Sequence, residues 1–208
     1  MSVYARYVLP RLINLAMRNP AARAARAERA RFLPRASGTV LEIGIGSGLN
    51  IPFYPATIRA LHGVDPSPEL LRMAGRRAAH APFPVELVEL AAEKLTAADG
   101  TYDTVVTTWT LCSIPDPGAA LAEMRRVLKP DGRLLFIEHG WSPDPGVRAW
   151  QDRLDRLWSR LAGGCHLNRK MDALIAGAGF ELTELETGYA PGPKPLAYLY
   201  RGVARRAA

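Results

Sequence analysis

The sequence predicts a single α/β domain, three layers deep, in which helices cover both faces of a doubly wound, largely parallel sheet of seven strands. Three observations carry this expectation. From Thr39 onward, short apolar runs alternate with helical stretches across Gly and Pro turns, the rhythm of strand, crossover helix and strand. Runs such as Val105-Val106 and Leu134-Leu135-Phe136-Ile137 have no polar alternation, which suits strands covered on both faces. With 208 residues, 48% of them hydrophobic and 23% charged, the chain has the size and composition of one packed domain rather than a disordered or collagen-like chain.

The elements follow in order. Val3 to Met17 is mostly apolar but holds Arg6 and Arg11 and is interrupted by Pro10. It is too short and too charged to span a bilayer, and reads as an amphipathic helix lying on the domain or on a membrane interface. Asn19-Pro20 reads as the cap and first residue of an Ala/Arg-rich helix that runs to about Phe32 and stops before Pro34. Arg23, Arg26 and Arg29 repeat every third residue in it and so share a face. Strands are expected at Thr39–Ile43, Ala60–Val64, Val85–Glu89, Thr104–Thr108 and Arg133–Glu138, with helices at Pro68–His80 and Pro117–Leu128 between them. Lys129-Pro130-Asp131-Gly132 reads as a turn in which proline ends the preceding helix. A helix at Val147–Leu161, the pair Gly163-Gly164, a helix at Asn168–Ala178, and strands at Phe180–Glu186 and Leu196–Ala204 complete the chain.

Charge and cysteine usage narrow the function classes. The net charge of +7 is concentrated in Arg18, Arg23, Arg26, Arg29, Arg31 and Arg35, among which Glu28 is the single acid, and in the tail residues Arg201, Arg205 and Arg206. Aromatic residues do not interleave with these arginines as a base-stacking surface requires, so nucleic acid is not the expected partner. Cys112 and Cys165 are too few for a disulfide scaffold or a multi-cysteine zinc site, and no cleavable signal peptide is legible. The expectation is a cytoplasmic protein, with peripheral membrane contact through residues 1–35 as its one membrane option. Nothing in the sequence specifies an oligomeric state.

The most informative segment is Val40-Leu41-Glu42-Ile43-Gly44-Ile45-Gly46-Ser47-Gly48-Leu49-Asn50, an apolar strand entering glycines at alternate positions. Backbone without a side chain permits close approach to a ligand, and a following helix would turn its free N–H groups toward it. Asp65 ends the next strand, 21 residues after Gly44, where a carboxylate accepts hydrogen bonds from ribose hydroxyls. Together these describe a nucleoside-cofactor site. A dinucleotide fingerprint would place its third glycine at position 49, which is Leu49 here, so a nicotinamide dehydrogenase is disfavoured.

The pattern Glu-x-Gly-x-Gly-x-Gly resembles the first motif of class I S-adenosylmethionine-dependent methyltransferases, of the type 11 group. That resemblance implies a Rossmann-like sheet, mostly parallel with an antiparallel last strand, and S-adenosylmethionine as cofactor, leaving S-adenosylhomocysteine as product. It also implies that Glu42, Gly44, Gly46, Ser47, Gly48 and Asn50 surround the methionine portion, that Asp65 and Pro66 hold the ribose, and that Ala92 and Glu93 lie near the adenine. Thr108 and Leu111, also expected at the cofactor, belong to a fourth-strand motif, Tyr102 to Ser113, and Arg126 to Leu134 resembles the following helix, turn and strand. In these terms residues 1–35 form a helical lid or interfacial segment and residues 36–208 the catalytic core.

Beyond strands four and five, Leu111-Cys112-Ser113, Glu138-His139, Trp150-Gln151 and Gly164-Cys165-His166-Leu167-Asn168-Arg169 resemble the methyltransferase-like 7 branch, which includes alkyl thiol methyltransferases. The resemblance implies a small, lipophilic acceptor. Related alternatives are phospholipid N-methylation and C- or O-methylation of a quinone precursor, and the non-enzymatic alternative is a nucleic-acid-binding protein that kept the cofactor fold. Cys112 and His139 are the polar groups expected nearest the reaction; as plain structure, Cys112 would be a small buried hydrophobe and His139 would bond a neighbouring carbonyl. His166 is expected to cap the helix near Asn168, and Glu138 to support the strand end. His62, His80, His139 and His166 show no ligand spacing, so no metal is expected. No acid/base pair stands out, which favours an acceptor that ionises easily, and a thiol does.

Overall fold

The computed structural model describes residues 22–207, so the expected helix at Val3–Met17 and its neighbour cap at Asn19-Pro20 lie outside the described residues. The first helix, α1, is Ala22–Phe32, and a 3-10 turn at Leu33–Arg35 follows it. Then come β1 (Thr39–Ile43), β2 (Ala60–Asp65), α2 (Pro68–Ala78), β3 (Val85–Glu89), β4 (Tyr102–Thr108), α3 (Pro117–Val127) and β5 (Leu128–His139). The chain finishes with α4 (Pro145–Leu161), α5 (Met171–Gly177), β6 (Phe180–Tyr189), the short α6 (Lys194–Ala197) and β7 (Tyr198–Arg206). All seven strands fall where the apolar runs place them.

The strands form one sheet in the order β3-β2-β1-β4-β5-β7-β6. Pairing is parallel from β3 through β5, and β7 lies antiparallel to both β5 and β6. Successive strands are added outward in one direction from β1 to β3 and in the other from β4, so the strand order reverses between β1 and β4, the switch point beyond which loops diverge and leave a crevice.

Adjacent residues of a strand point to opposite faces, and both faces are dry. Leu41, Val105, Leu134 and Phe136 join one core with α3 and α5 residues such as Leu121, Met124 and Ile175. Val40, Val106, Leu135 and Val203 join the other with Leu33, Ile51, Ile58 and Phe83, against which Leu71 of α2 packs. That is why these runs show no alternation. Three helices start from built caps. Ser67, Asp116 and Asp144 each accept a backbone N–H of the first turn, with proline in the first turn where no N–H is needed.

Several expectations are corrected. α3 ends at Val127 and the chain is already extended at Leu128, so Pro130 does not stop the helix. Instead, Leu128 pairs with Tyr102 and Arg133 with Thr104, and Lys129-Pro130-Asp131-Gly132 forms an excursion within β5. α5 starts at Met171, and its cap, Lys170, makes no side-chain capping bond. His166 does not cap it; His166 Nδ1 sits 2.8 Å from Asp155 Oδ2 on α4.

The early arginines are not a free basic face. Arg31 and Arg35 pair with Glu186 and Glu184 of β6 at 2.8 and 2.6 Å, and Arg201 Nε lies 2.9 Å from Glu28. Arg26 lies over the Phe53 ring and Arg29 over Trp109, while Arg29 itself is buried. Among the described residues, no helix is long and apolar enough to cross a membrane.

Candidate functional site

The carboxyl ends of β1, β2, β3 and β4 meet at the switch point, and the glycine turn leaves β1 there. Its three glycines all have positive φ, but they serve different ends. A Cβ on Gly44 would lie 2.3 Å from Thr110 Cγ2, so Gly44 is small because the loop after β4 packs on it. A Cβ on Gly48 would meet Ile51 and Ala74 of α2. At Gly46 the nearest atom would be 3.8 Å away, so this position faces open space and keeps room for a ligand against the backbone. The expected helix after the turn is absent: Ile51–Phe53 is a single 3-10 turn, which has no macrodipole of consequence to offer an anion.

Asp65 closes the turn from the neighbouring strand. Its Oδ2 accepts the Gly46 N–H at 3.0 Å and its Oδ1 the Ser67 N–H at 2.8 Å. Burial raises its pKa, while these two bonds hold the charged form in place. A carboxylate has about four acceptor sites, so both oxygens keep capacity for ribose hydroxyls. Asp65 pairs in register with Glu89 at the end of β3; beyond it Ala92 is buried in the core and Glu93 Oε1 accepts the Asp116 N–H at 3.5 Å. Pro66 is exposed next to Asp65, and Ser47 is buried with its carbonyl accepting from Arg77 of α2.

Behind the turn lies a buried polar network that the sequence does not reveal. Asn50 donates to Glu42 Oε1 at 2.8 Å and to Thr108 Oγ1 at 2.9 Å, and accepts from Arg29 Nε at 2.7 Å. Tyr54 donates to Glu42 Oε2 at 2.8 Å. Burial pushes Glu42 up to about 8, against the opposing effect of these bonds and of Arg29. Glu42, Asn50 and Thr108 thus order the glycine turn from behind, and α1 supplies the cation.

On the acceptor side, the buried carboxyl of Glu138 accepts from Thr107 Oγ1 at 2.8 Å and from the backbone N–H groups of Thr110 and Leu111. Burial raises it to about 7, and its bonds pin the end of β4 and the loop that follows it. Leu111 was expected at the cofactor. It is fully buried instead, with its N–H on Glu138 and its carbonyl accepting from Arg169 at 2.5 Å, so it supports the wall of the site from behind. Trp109, the first residue after β4, has φ 50, a backbone state unusual for a bulky residue. Arg29 covers its ring, joining the cofactor and acceptor sides.

Cys112 and His139 do come together, in company with a third residue. His139 Nε2 lies 3.0 Å from Cys165 Sγ rather than on a carbonyl, and Trp158 donates to the same sulfur at 3.4 Å. The Cys112, His139 and Cys165 ligand atoms all lie within 4.8 Å of one another. The Cys112 contact and then His139 lower the Cys165 pKa, while Cys112 is raised by the same contact and by burial. Burial works against charge on His139, but the Cys165 contact outweighs it and raises the imidazole. His166 N–H donates to the Cys112 carbonyl at 2.8 Å, and Arg169 also donates to Ile114 O, so the loop before α5 is stitched to the loop after β4. Arg29 and Tyr54 are the site residues that pattern reading misses, while Trp109, Cys165 and Arg169 lie in motifs it quotes without giving them a role.

S-adenosylmethionine fits this arrangement: Gly46 presents open backbone and Asp65 keeps acceptor capacity. Comparison with known proteins agrees. A family model described as a methyltransferase domain matches residues 41–136. The thiol S-methyltransferase TMT1B of Homo sapiens is 34% identical over 173 residues, covering 80% of this chain and 69% of that protein. Its counterpart from Rattus norvegicus is 37% identical over 153 residues, 71% of this chain and 62% of that protein. The phosphatidylethanolamine N-methyltransferase of Cereibacter sphaeroides is 32% identical over 158 residues, 74% and 75% of the two chains. The fold is shared with the YcgJ protein from Bacillus subtilis, with TM-score 0.68, 16% identity and coverage of 90% and 99%. It is also shared with a SAM-dependent methyltransferase from Methanosarcina mazei, with TM-score 0.64, 21% identity and coverage of 81% and 92%. With its glycine turn, the Asp65 carboxylate that closes it and this sheet order in place, and with these relatives, the chain belongs to the S-adenosylmethionine-dependent methyltransferases.

Proposed function

We propose that this protein transfers a methyl group to the sulfur of a small, lipophilic thiol. The observation that carries the reading is similarity, at 32–37% identity, to four curated thiol S-methyltransferases across 71–80% of this chain. When bound, S-adenosylmethionine supplies a methyl carbon already activated by a positively charged sulfur. The chain's own residues then have to orient the partners and exclude water. Asp65 and the Gly46 backbone hold the cofactor, Glu42 and Asn50 keep the turn rigid, and Glu138 fixes the loop that faces the acceptor. Glu138 at that end is committed to the Thr107 hydroxyl and to backbone N–H groups, which leaves the His139 imidazole, held at Nε2 by Cys165, as the remaining proton-bearing group. A thiol with pKa near ~8.5 is already partly ionised at neutral pH and needs little help. Trp150, Leu154, Leu157 and Leu161, exposed at helical spacing on α4, suit a lipophilic acceptor arriving on that side.

A second reading has its own support. The Cereibacter sphaeroides relative is named for phosphatidylethanolamine, which would make the acceptor a lipid amine at a membrane surface. The test is one assay with methyl-labelled S-adenosylmethionine against an alkane thiol, phosphatidylethanolamine vesicles and a quinone precursor. Label in the thioether is the expected result. Label in the lipid alone would replace the thiol with an amine acceptor, and no label in any of the three would count against both.

A further inference from the structure

Cys112, His139 and Cys165 come from three separate elements: the loop after β4, the last residue of β5, and the loop between α4 and α5. They lie 27 and 26 positions apart, so their meeting is a product of tertiary structure alone. Cys112 and His139 are buried and Cys165 is partly so. We infer that these three side chains form a binding site for a thiophilic divalent ion, Zn2+, at the acceptor end of the sheet.

The geometry supports this in three ways. Tetrahedral zinc, with Zn–S about 2.3 Å and Zn–N about 2.0–2.1 Å, places neighbouring ligand atoms about 3.5–3.8 Å apart. The present atoms lie within 4.8 Å of one another, with Nε2 of His139 at 3.0 Å from Cys165, so small side-chain rotations close the set on an ion. The backbones that carry the ligands are already fixed. His166 N–H bonds the Cys112 carbonyl at 2.8 Å, Arg169 holds Leu111 and Ile114, and Trp141 N–H bonds the Arg169 carbonyl at 2.9 Å. Finally, the Trp158 indole N–H points at Cys165 Sγ at 3.4 Å, the kind of outer hydrogen bond that steadies a metal-bound thiolate.

The donor set selects the metal. Two thiolates and an imidazole are soft ligands, suited to zinc and poor for Mg2+ or Ca2+. His139 bonds through Nε2, and its Nδ1, which has no hydrogen-bond partner among the described residues, carries the proton of the neutral ring. On binding, each cysteine thiol exchanges its S–H bond for a sulfur–metal bond and releases its proton to solvent, with no change in oxidation state. Three protein ligands leave a fourth tetrahedral position for water or another small ligand, the pattern of an open rather than a closed zinc site. This inference concerns metal binding and stands whichever acceptor is methylated.

The test uses the full chain, reduced and stripped with a chelator, and titrated with Co2+ as a visible substitute for zinc. The expected result is one cobalt per chain with a thiolate-to-cobalt charge-transfer band and ligand-field bands of tetrahedral intensity. Cys112→Ser and Cys165→Ser should each lose that band while keeping the wild-type circular dichroism, and Trp158→Phe should weaken binding about 10-fold. A second measurement needs no variant. One equivalent of Zn2+ should protect both cysteines from alkylation, and a chelator should restore their reactivity. Absence of the band in the reduced wild-type protein, its survival in both serine variants, or alkylation rates unchanged by zinc would each overturn the inference.

Discussion

Arg29 Nε donates to Asn50 Oδ1 at 2.7 Å, and this bond ties helix α1 to the far end of the glycine turn. Through Asn50 the contact reaches Glu42 and Thr108, so helix α1 and two central strands share a single buried polar network. Arg29→Met keeps much of the length but leaves Asn50 without its donor. The expected cost is about 1–3 kcal/mol of stability, read from denaturant unfolding, together with weaker S-adenosylhomocysteine binding by calorimetry. Wild-type stability and affinity in this variant would mean that α1 does not organise the turn.

The burial of Glu42 makes stability depend on pH in a direction opposite to the usual salt-bridged acid. Its pKa is about 8 in the folded chain and near 4.5 when unfolded, so the folded state binds more protons between these values. Stability therefore falls as pH rises through that window, by about 2 kcal/mol from this group between pH 6 and 8. Glu138, at about 7, adds in the same direction. Glu42→Gln should flatten the pH profile of unfolding, gaining relative stability at pH 8. An unchanged slope in the variant would show that Glu42 stays charged.

The two glycines that open the turn should respond differently to a single methyl. Gly44→Ala drives a Cβ into Thr110, 2.3 Å from its Cγ2, and should destabilise the fold by more than about 2 kcal/mol. Gly46→Ala meets nothing nearer than 3.8 Å, so its cost is the left-handed backbone alone, about 1–2 kcal/mol. Its larger effect should be on cofactor affinity, which calorimetry separates from stability. If both variants bound the cofactor equally well, Gly46 would not line the site.

Asp65→Ala should cost about 1–3 kcal/mol of S-adenosylhomocysteine binding through lost ribose hydrogen bonds. Asp65→Asn should fall between it and the wild type, since the amide keeps one oxygen for the Gly46 or Ser67 N–H. Tight NAD binding by the wild-type chain, with no response to S-adenosylhomocysteine, would contradict the assignment of the crevice.

Methyl transfer is expected to be a direct displacement with no methyl on the protein. Intact-mass measurement during turnover with labelled cofactor should find Cys112 and Cys165 unmethylated. A methylated cysteine that forms and decays at the rate of turnover would require relay through the enzyme.

Sequence alone determined the seven strands, the α/β class and the kind of cofactor. The reason is that these rest on local signals: unbroken apolar runs, glycines at alternate positions, and an acid one strand later. Tertiary structure decided what those signals could not. Arg29 lies in a helix whose repeating arginines read as a solvated face, yet it is buried because Asn50 and Trp109 wait on another element. Leu111 reads as a cofactor contact from its motif position but is fully buried within the loop after β4, its own N–H and carbonyl pinned by Glu138 and Arg169. Gly44 and Gly46 are indistinguishable as letters, and only the Thr110 side chain beside one and the open space beside the other separate a packing role from a binding role. Cys112, His139 and Cys165 have no ligand spacing at all, because loops that diverge from three strands and helices bring side chains together without regard to their distance along the chain.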